Sequence, residues 1–284
     1  MSSFPLFPTE AVRRPVASVA LNSPTRVFDR LSASPRLAEV VPASRLTVRP
    51  TLEMVPSGVP EVDALTGGLP RGCLTEVCGP VSSGRTSLLL AVMAAATQRQ
   101  EACALVDVSE AFDPLSAAMA AVNFESLLWI RCGIGQTAVR RKNTAHGANR
   151  GGDNVEQALR VTDLLLQSGG FGLVIIDLGD VPPKTARRIP LTSWFRFQRA
   201  IEHTPTVLFV VTQAPCAQTC AALLLNVGKK LSVFSPQLSA FKTPPHGELL
   251  GDLHIEMEIL RSRIPRKSAQ PATTAFATKT VRAG

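Results

Sequence analysis

With 284 residues, 45% of them hydrophobic, the chain can hold one large α/β domain plus tails, or at most two small domains. A net charge of +8 favours a polyanionic partner only modestly, and aromatics at 5% with no tyrosine leave few base-stacking platforms. No run approaches the roughly 20 apolar residues of a membrane span, and Pro5, Pro8, Arg13, Arg14 and Pro15 break any N-terminal apolar core, so a cytoplasmic protein with no membrane attachment is expected. The cysteines (Cys73, Cys78, Cys103, Cys132, Cys216, Cys220) sit mostly inside apolar runs and read as buried, reduced thiols.

Residues 1–52, rich in Pro, Ser and Arg, show no sustained period and read as a flexible leader, with a short helix near Arg36 to Val40. From Pro56 strands and helices alternate. The short apolar runs 74–78, 102–108, 127–132, 172–177 and 206–212 predict buried parallel strands, and 85–98, 114–121, 154–168 and 192–203 predict helices. Between them, 133–153 is a Gly/Asn-rich basic insertion with Arg140, Arg141 and Lys142, read either as solvated or as a DNA-contacting loop. Beyond 212 the pattern weakens to 221–225 and 231–234, and then 254–260 alternates as an antiparallel edge strand should. The domain is placed at 53–260, with 261–284, six Lys/Arg and no acid, as a flexible basic tail. The expected fold class is α/β, a mainly parallel central sheet flanked by helices, with antiparallel strand(s) at its C-terminal edge.

The chemistry concentrates in Gly79-Pro80-Val81-Ser82-Ser83-Gly84-Arg85-Thr86-Ser87, between a predicted strand and a predicted helix. Loop amides and a helix N-terminus that converge in this way cradle phosphates. Gly79 and Gly84 allow the backbone path; Ser82, Ser83 and Ser87 complete the loop; Thr86 offers a hydroxyl to Mg²⁺. Arg85 stands where the motif has lysine, a planar fork in place of a compact point charge. Asp177, ending Leu173-Val174-Ile175-Ile176, reads as the carboxylate that would hold Mg²⁺, or else as a turn or cap residue. Glu110 reads equally as a water-activating carboxylate or as a first-turn helix charge. Asp113 before Pro114 is a helix cap candidate. Gln213, at the end of strand 206–212, is either a phosphate-sensing amide or a surface glutamine, and Lys184, Arg187 and Arg188 are a solvated basic loop or DNA-phosphate contacts.

Four blocks then carry a resemblance: Gly58…Asp63-Ala64-Leu65-Thr66-Gly67-Gly68-Leu69-Pro70-Arg71-Gly72, the Gly79–Ser87 loop, Asp107…Ala111-Phe112-Asp113-Pro114, and Glu156-Gln157-Ala158-Leu159. In order and spacing they resemble the RecA recombinase core across about residues 55–215. The resemblance implies a RecA-like P-loop fold using ATP and Mg²⁺, Asp113 near the adenine, and Gln213 as the nucleotide-sensing glutamine. The departures are Arg85 for lysine, Ser109 where the family has its catalytic glutamate (Glu110 is displaced by one), and no Gly-rich DNA-gripping loop after Gln213. The chain is closer in pattern to the truncated ImuA-type accessory proteins of mutagenic repair, to which 193–202 and 255–263 are similar; SulA-type cell-division inhibitors share parts of the architecture. The resemblance implies an ATP-binding accessory protein in DNA repair and SOS damage tolerance with weak or no ATPase. An active DNA-dependent ATPase in recombination, or a module that binds no nucleotide, are the alternatives. Expected partners are single-stranded DNA, weakly, and a polymerase-like mutagenesis protein or a RecA-type recombinase; a homo-oligomer is left open.

Overall fold

The computed structural model describes residues 52–133, 150–229, 252–264 and 272–279. The expected leader, its helix near Arg36, the loop residues Arg140, Arg141 and Lys142, and the run 231–234 lie outside the described residues. In chain order the elements are β1 (Met54–Val55), α1 (Pro60–Thr66), β2 (Leu69–Pro70), β3 (Leu74–Cys78), α2 (Arg85–Gln98), β4 (Cys103–Asp107), α3 (Pro114–Met119) and β5 (Leu127–Arg131). They continue with α4 (Arg150–Ser168), β6 (Leu173–Asp177), α5 (Pro183–Ala186), α6 (Leu191–Ile201), β7 (Val207–Thr212), β8 (Ala221–Lys229), β9 (Asp252–Ser262) and β10 (Thr273–Lys279).

Eight strands form one sheet in the order β10-β9-β8-β3-β7-β6-β4-β5, and β1 pairs with β2 in a separate antiparallel ribbon. From β8 through β5 the neighbours are parallel; β9 runs antiparallel to both β8 and β10. The strand sequences explain this burial. Cys103, Leu105, Leu173, Ile175, Val207 and Phe209 enter one core with Leu88, Leu89 and Met93 of α2. Their neighbours Ala104, Val106, Val174, Ile176, Leu208 and Val210 enter a second core with Val155 and Ala158 of α4 and Trp194, Phe197 and Ile201 of α6. A sheet covered on both faces needs strands apolar at every position, and these runs are.

Local signals set the helix starts. Pro60, Pro114 and Pro183 each sit in the first turn, where a missing N–H costs nothing. Asp113 caps α3 by accepting from the amides of Leu115 and Ser116 at 3.2 and 3.0 Å. The chain leaves β3 for β4, three places along the sheet, and later returns to insert β6 and β7 between them. A crevice therefore opens at the carboxyl ends of β3, β7, β6 and β4, the switch point where α/β folds bind ligands.

The C-terminal region differs from the expectation. Residues 261–284 were expected as a flexible tail from charge alone, yet β9 continues to Ser262 and Thr273–Lys279 form β10, with Phe276 in the core. Period-2 packing outweighs the basic composition here.

This C-terminal hairpin reaches the Gly79–Ser87 loop. Strand β8 pairs with β3 up to Cys78↔Asn226 and then continues to Lys229, flanked by β9 from Ile255. A Cβ on Gly79 would stand 2.2 Å from the Val227 carbonyl oxygen, and one on Gly84 2.3 Å from Ile255 Cδ1. Gly84 also holds φ +98°, which side-chain-bearing residues rarely adopt. We expect Gly84→Ala to cost about 2–4 kcal/mol through overpacking and backbone strain together. Ile255→Ala should cost about 2–4 kcal/mol as a core truncation. Urea unfolding of the double variant should give a loss well below the sum, because the removed side chain is the one that clashes; strict additivity would show that the two residues do not meet.

Candidate functional site

Strand register builds the site. Cys78 pairs with Thr212, Val211 with Asp177, and Asp177 with Asp107, so four strand ends finish in one row. The Gly79–Ser87 loop leaves that row and turns into α2. Its path uses positive φ at Ser82 (61°) and Gly84 (98°), and no side chain caps the helix that follows. The first-turn amides thus keep their donor capacity for an anion at the mouth. Buried Ser83 has no hydrogen-bond partner for its hydroxyl, Thr86 is exposed, and Ser87 is half-buried. Arg85, Thr86, Phe112, Asp113, Asp177 and Asp180 line the adjoining cleft together with apolar side chains from α2 and β7.

Arg85 is buried, and its placement answers the question that its identity raised. Its Nη1 donates to the carbonyl oxygens of Thr212 at 2.7 Å and Gly179 at 3.1 Å. It makes no ion pair with Asp177 among the described residues. Nε and Nη2 have no acceptor among the described residues, and Arg85 is one of the residues that line the cleft. Burial lowers the Arg85 pKa from its ordinary value, and the charges of Asp177 and Asp180 offset part of that. An arginine remains protonated under these conditions.

Asp177 ends β6 and accepts from the Gly179 amide at 2.8 Å. Its carboxyl is pushed up to about 6, chiefly by burial and further by Asp107 and Asp180. Asp180 is a lining residue that the sequence reading missed; its signal was a second acid three residues after Asp177. Asp113 lines the cleft, and its carboxylate is engaged by the Ser116 hydroxyl and two amides, which hold it below the usual carboxylate range.

Other expected residues lie apart. Glu110, at φ 56°, turns to Arg131 in a 3.4 Å ion pair and does not line the cleft. The fold explains why. Asp107 accepts from the amides of Ala111 and Phe112, both at 3.1 Å, and from Trp129 Nε1 at 3.2 Å, and this clamp fixes the loop with Glu110 outward. Gln213 donates its Nε2 to the Gly179 carbonyl at 3.0 Å and is likewise not a lining residue. Lys184, Arg187 and Arg188 are exposed around α5 with no ion pair among the described residues.

Sequence reading also missed Glu76, a fully buried acid in the middle of β3. It accepts from the amides of Cys216 at 2.7 Å and Ala217 at 3.2 Å, and from the Thr212 hydroxyl at 3.3 Å. Burial raises its pKa, and these hydrogen bonds pull the other way. A single acid inside an apolar strand was the available signal.

Stability should record the Asp177 shift. Its folded pKa is raised, so the unfolded chain gives up this proton first as pH rises. The Asp177 contribution is therefore most favourable below about pH 4 and is lost as pH climbs through about 6. Asp177→Asn, which keeps the acceptor for Gly179, should stabilise the protein by about 2 kcal/mol above pH 6.5 and by almost nothing near pH 4. Thermal melts across that range check this; a gain equal at both ends would remove the raised pKa as the cause.

Comparison with known proteins agrees with this geometry. Residues 43–146 match the RecA N-terminal domain. Protein RecA of Ectopseudomonas oleovorans is 39% identical over 111 residues, covering 39% of this chain and 26% of that protein. Protein RecA of Chloroflexus aurantiacus is 29% identical over 181 residues, covering 58% of this chain and 46% of that protein. The chain thus spans less than half the length of these relatives. Among solved structures, the RadB recombinase superposes with TM-score 0.50 at 18% identity, covering 80% of this chain and 96% of that one. A KaiC-like protein from Pyrococcus horikoshii superposes with TM-score 0.51 at 15% identity, covering 79% and 99%. The strand order and these matches together give the chain a RecA-like α/β fold, with residues 43–146 similar to the RecA N-terminal domain.

Proposed function

We propose that this chain is a RecA-like ATP-binding accessory protein of DNA repair and SOS damage tolerance that binds Mg²⁺ and ATP and hydrolyses weakly or not at all. The observation that carries it is Arg85: both Nη1 bonds go to main-chain carbonyls at the ends of β6 and β7, while the loop around it keeps its phosphate-cradling path. The residues suit the ligand. Loop amides and the Arg85 guanidinium would hold phosphate oxygens, the Thr86 hydroxyl and Asp177 carboxylate would supply oxygens to Mg²⁺, and Asp113 and Phe112 would border the base. What is weakened is turnover. Glu110 faces Arg131, Gln213 donates to Gly179, and neither lines the cleft, so the expected catalytic set is not gathered at the phosphate site. Such losses reduce transition-state stabilisation more than ground-state binding.

The cleft sets one cation, Arg85, against Asp113, Asp177 and Asp180. A polyphosphate entering alone meets more acid than base, so the metal has to screen it. Fluorescent-ATP titration should show binding that EDTA weakens by about tenfold or more. Phosphate release should stay far below the typical ~1–100 per second with or without single-stranded DNA. DNA-stimulated turnover within that range would sink the weak-hydrolysis reading, and no binding by the folded protein would favour a nucleotide-free interaction module.

The same proposal gives Lys184, Arg187 and Arg188, with the 140–150 loop, a weak role in holding single-stranded DNA through its phosphates. Replacing Lys184, Arg187 and Arg188 with alanine should flatten the slope of log affinity against log salt by about 2, at roughly 0.7 per lost single-strand phosphate contact. An unchanged slope moves the DNA face elsewhere. A polymerase-like mutagenesis protein, or a RecA-type recombinase, is the proposed protein partner, and co-purification with the tagged full chain tests it.

A further inference from the structure

The cleft has a polar part and an apolar part. Arg85, Thr86, Asp177 and Asp180 belong to the first; one turn along α2, Leu89 and Leu90 belong to the second, with Ala111 and Phe112. Phe112 is the one aromatic side chain among the described lining residues. Its ring meets that of Trp129 edge-on, with centroids 5.1 Å apart and planes at 64°. Trp129 lies opposite Leu105 in the β4–β5 register and packs against the same core as Leu89, yet it does not line the cleft. A single carboxylate oxygen sets both rings: Asp107 Oδ2 accepts from the Phe112 amide at 3.1 Å and from Trp129 Nε1 at 3.2 Å. Arg131 lies over the indole, its guanidinium carbon 5.3 Å from the ring centroid, and Glu110 pairs with Arg131 at 3.4 Å.

We propose that Trp129 is a positioning residue for the base of a bound nucleotide, acting through Phe112. The inference rests on the nucleotide-binding reading and assigns the apolar part of the cleft to a stacked heterocyclic base. A phenylalanine alone on a loop exchanges between staggered side-chain states. Here Trp129 closes one side of the Phe112 ring, and Asp107 fixes the backbone that carries it. A base entering the cleft meets a ring already in place, so stacking on it takes away no freedom of that side chain. Arg131 holds the indole in turn, a cation set over a ring face. Glu110 thereby gains a role at this site: its pair with Arg131 steadies the aromatic column from outside the cleft.

Calorimetric titration of the full chain with Mg²⁺-ATP and with Mg²⁺-tripolyphosphate tests the proposal, because the second probe has no base. The wild type should bind ATP about tenfold or more tightly than tripolyphosphate. Trp129→Leu should weaken ATP binding by about fivefold while leaving tripolyphosphate within about 1.5-fold. Trp129→Phe, which keeps a ring against Phe112, should recover most of that loss. Phe112→Leu should reproduce the loss, and adding Trp129→Leu to it should weaken ATP by less than about 1.5-fold more. Equal weakening of both probes by Trp129→Leu, or additive losses in the double variant, overturns the positioning role. If Trp129→Leu melts without cooperativity, tryptophan emission of the wild type decides. Trp194 is fully buried in the other core, so ATP should shift the emission through Trp129 and tripolyphosphate should leave it unchanged; equal responses overturn the proposal. ATP bound no more tightly than tripolyphosphate overturns the stack and leaves the phosphate site standing. Binding of neither probe by the folded protein removes the nucleotide reading itself, and this inference with it.

Discussion

A guanidinium buried where parallel strands end is the constraint on which the site depends. Arg85 starts α2, yet its donors finish on backbone carbonyls beyond β6 and β7. Buried carbonyls need partners, and a buried cation needs acceptors and nearby acid. Both needs are met by the same atoms, with Asp177 and Asp180 supplying charge without a direct ion pair. The arginine is a structural bolt across the crevice as well as a lining group. The start of α2, the loop after β6 and the end of β7 are consequently joined through one guanidinium.

Buried acids distribute the remaining strain. Asp107 is satisfied by two amides and an indole, and it fixes the loop that carries Phe112 and Asp113 to the cleft. Glu76 is satisfied from the other side of the sheet edge and fixes the chain beyond Gln213. Asp177 accepts a single backbone amide, and it is the one whose carboxyl burial lifts to about 6. An acid left that uncomfortable costs stability at neutral pH, and active or binding sites are where such costs are retained.

The framework was legible in the sequence because it rests on local signals. Apolar runs gave the strands β3 to β7 within a residue or two, and Pro114, Asp113 and the glycine loop located α2 and α3. The site was legible in kind but not in orientation. Glu110 stands beside the right strand end, but the Asp107 clamp, a long-range effect of strand register, turns it to Arg131. Gln213 ends the right strand, and its partner is a carbonyl thirty-four residues away in sequence. Glu76 was passed over because one acid in a strand carries no periodic signal. The segment called a tail concealed β10, since six basic residues masked an alternation that becomes evident only beside β9.

The contact between Ile255 and Gly84 has a consequence for synthesis. The Gly79–Ser87 loop is encoded in the first third of the chain, but its backing comes from β9, about 170 residues later. A nascent chain that has released only β3 and α2 presents an unsupported glycine loop. The loop has its full backing only once residues 252–262 are seated beside β8.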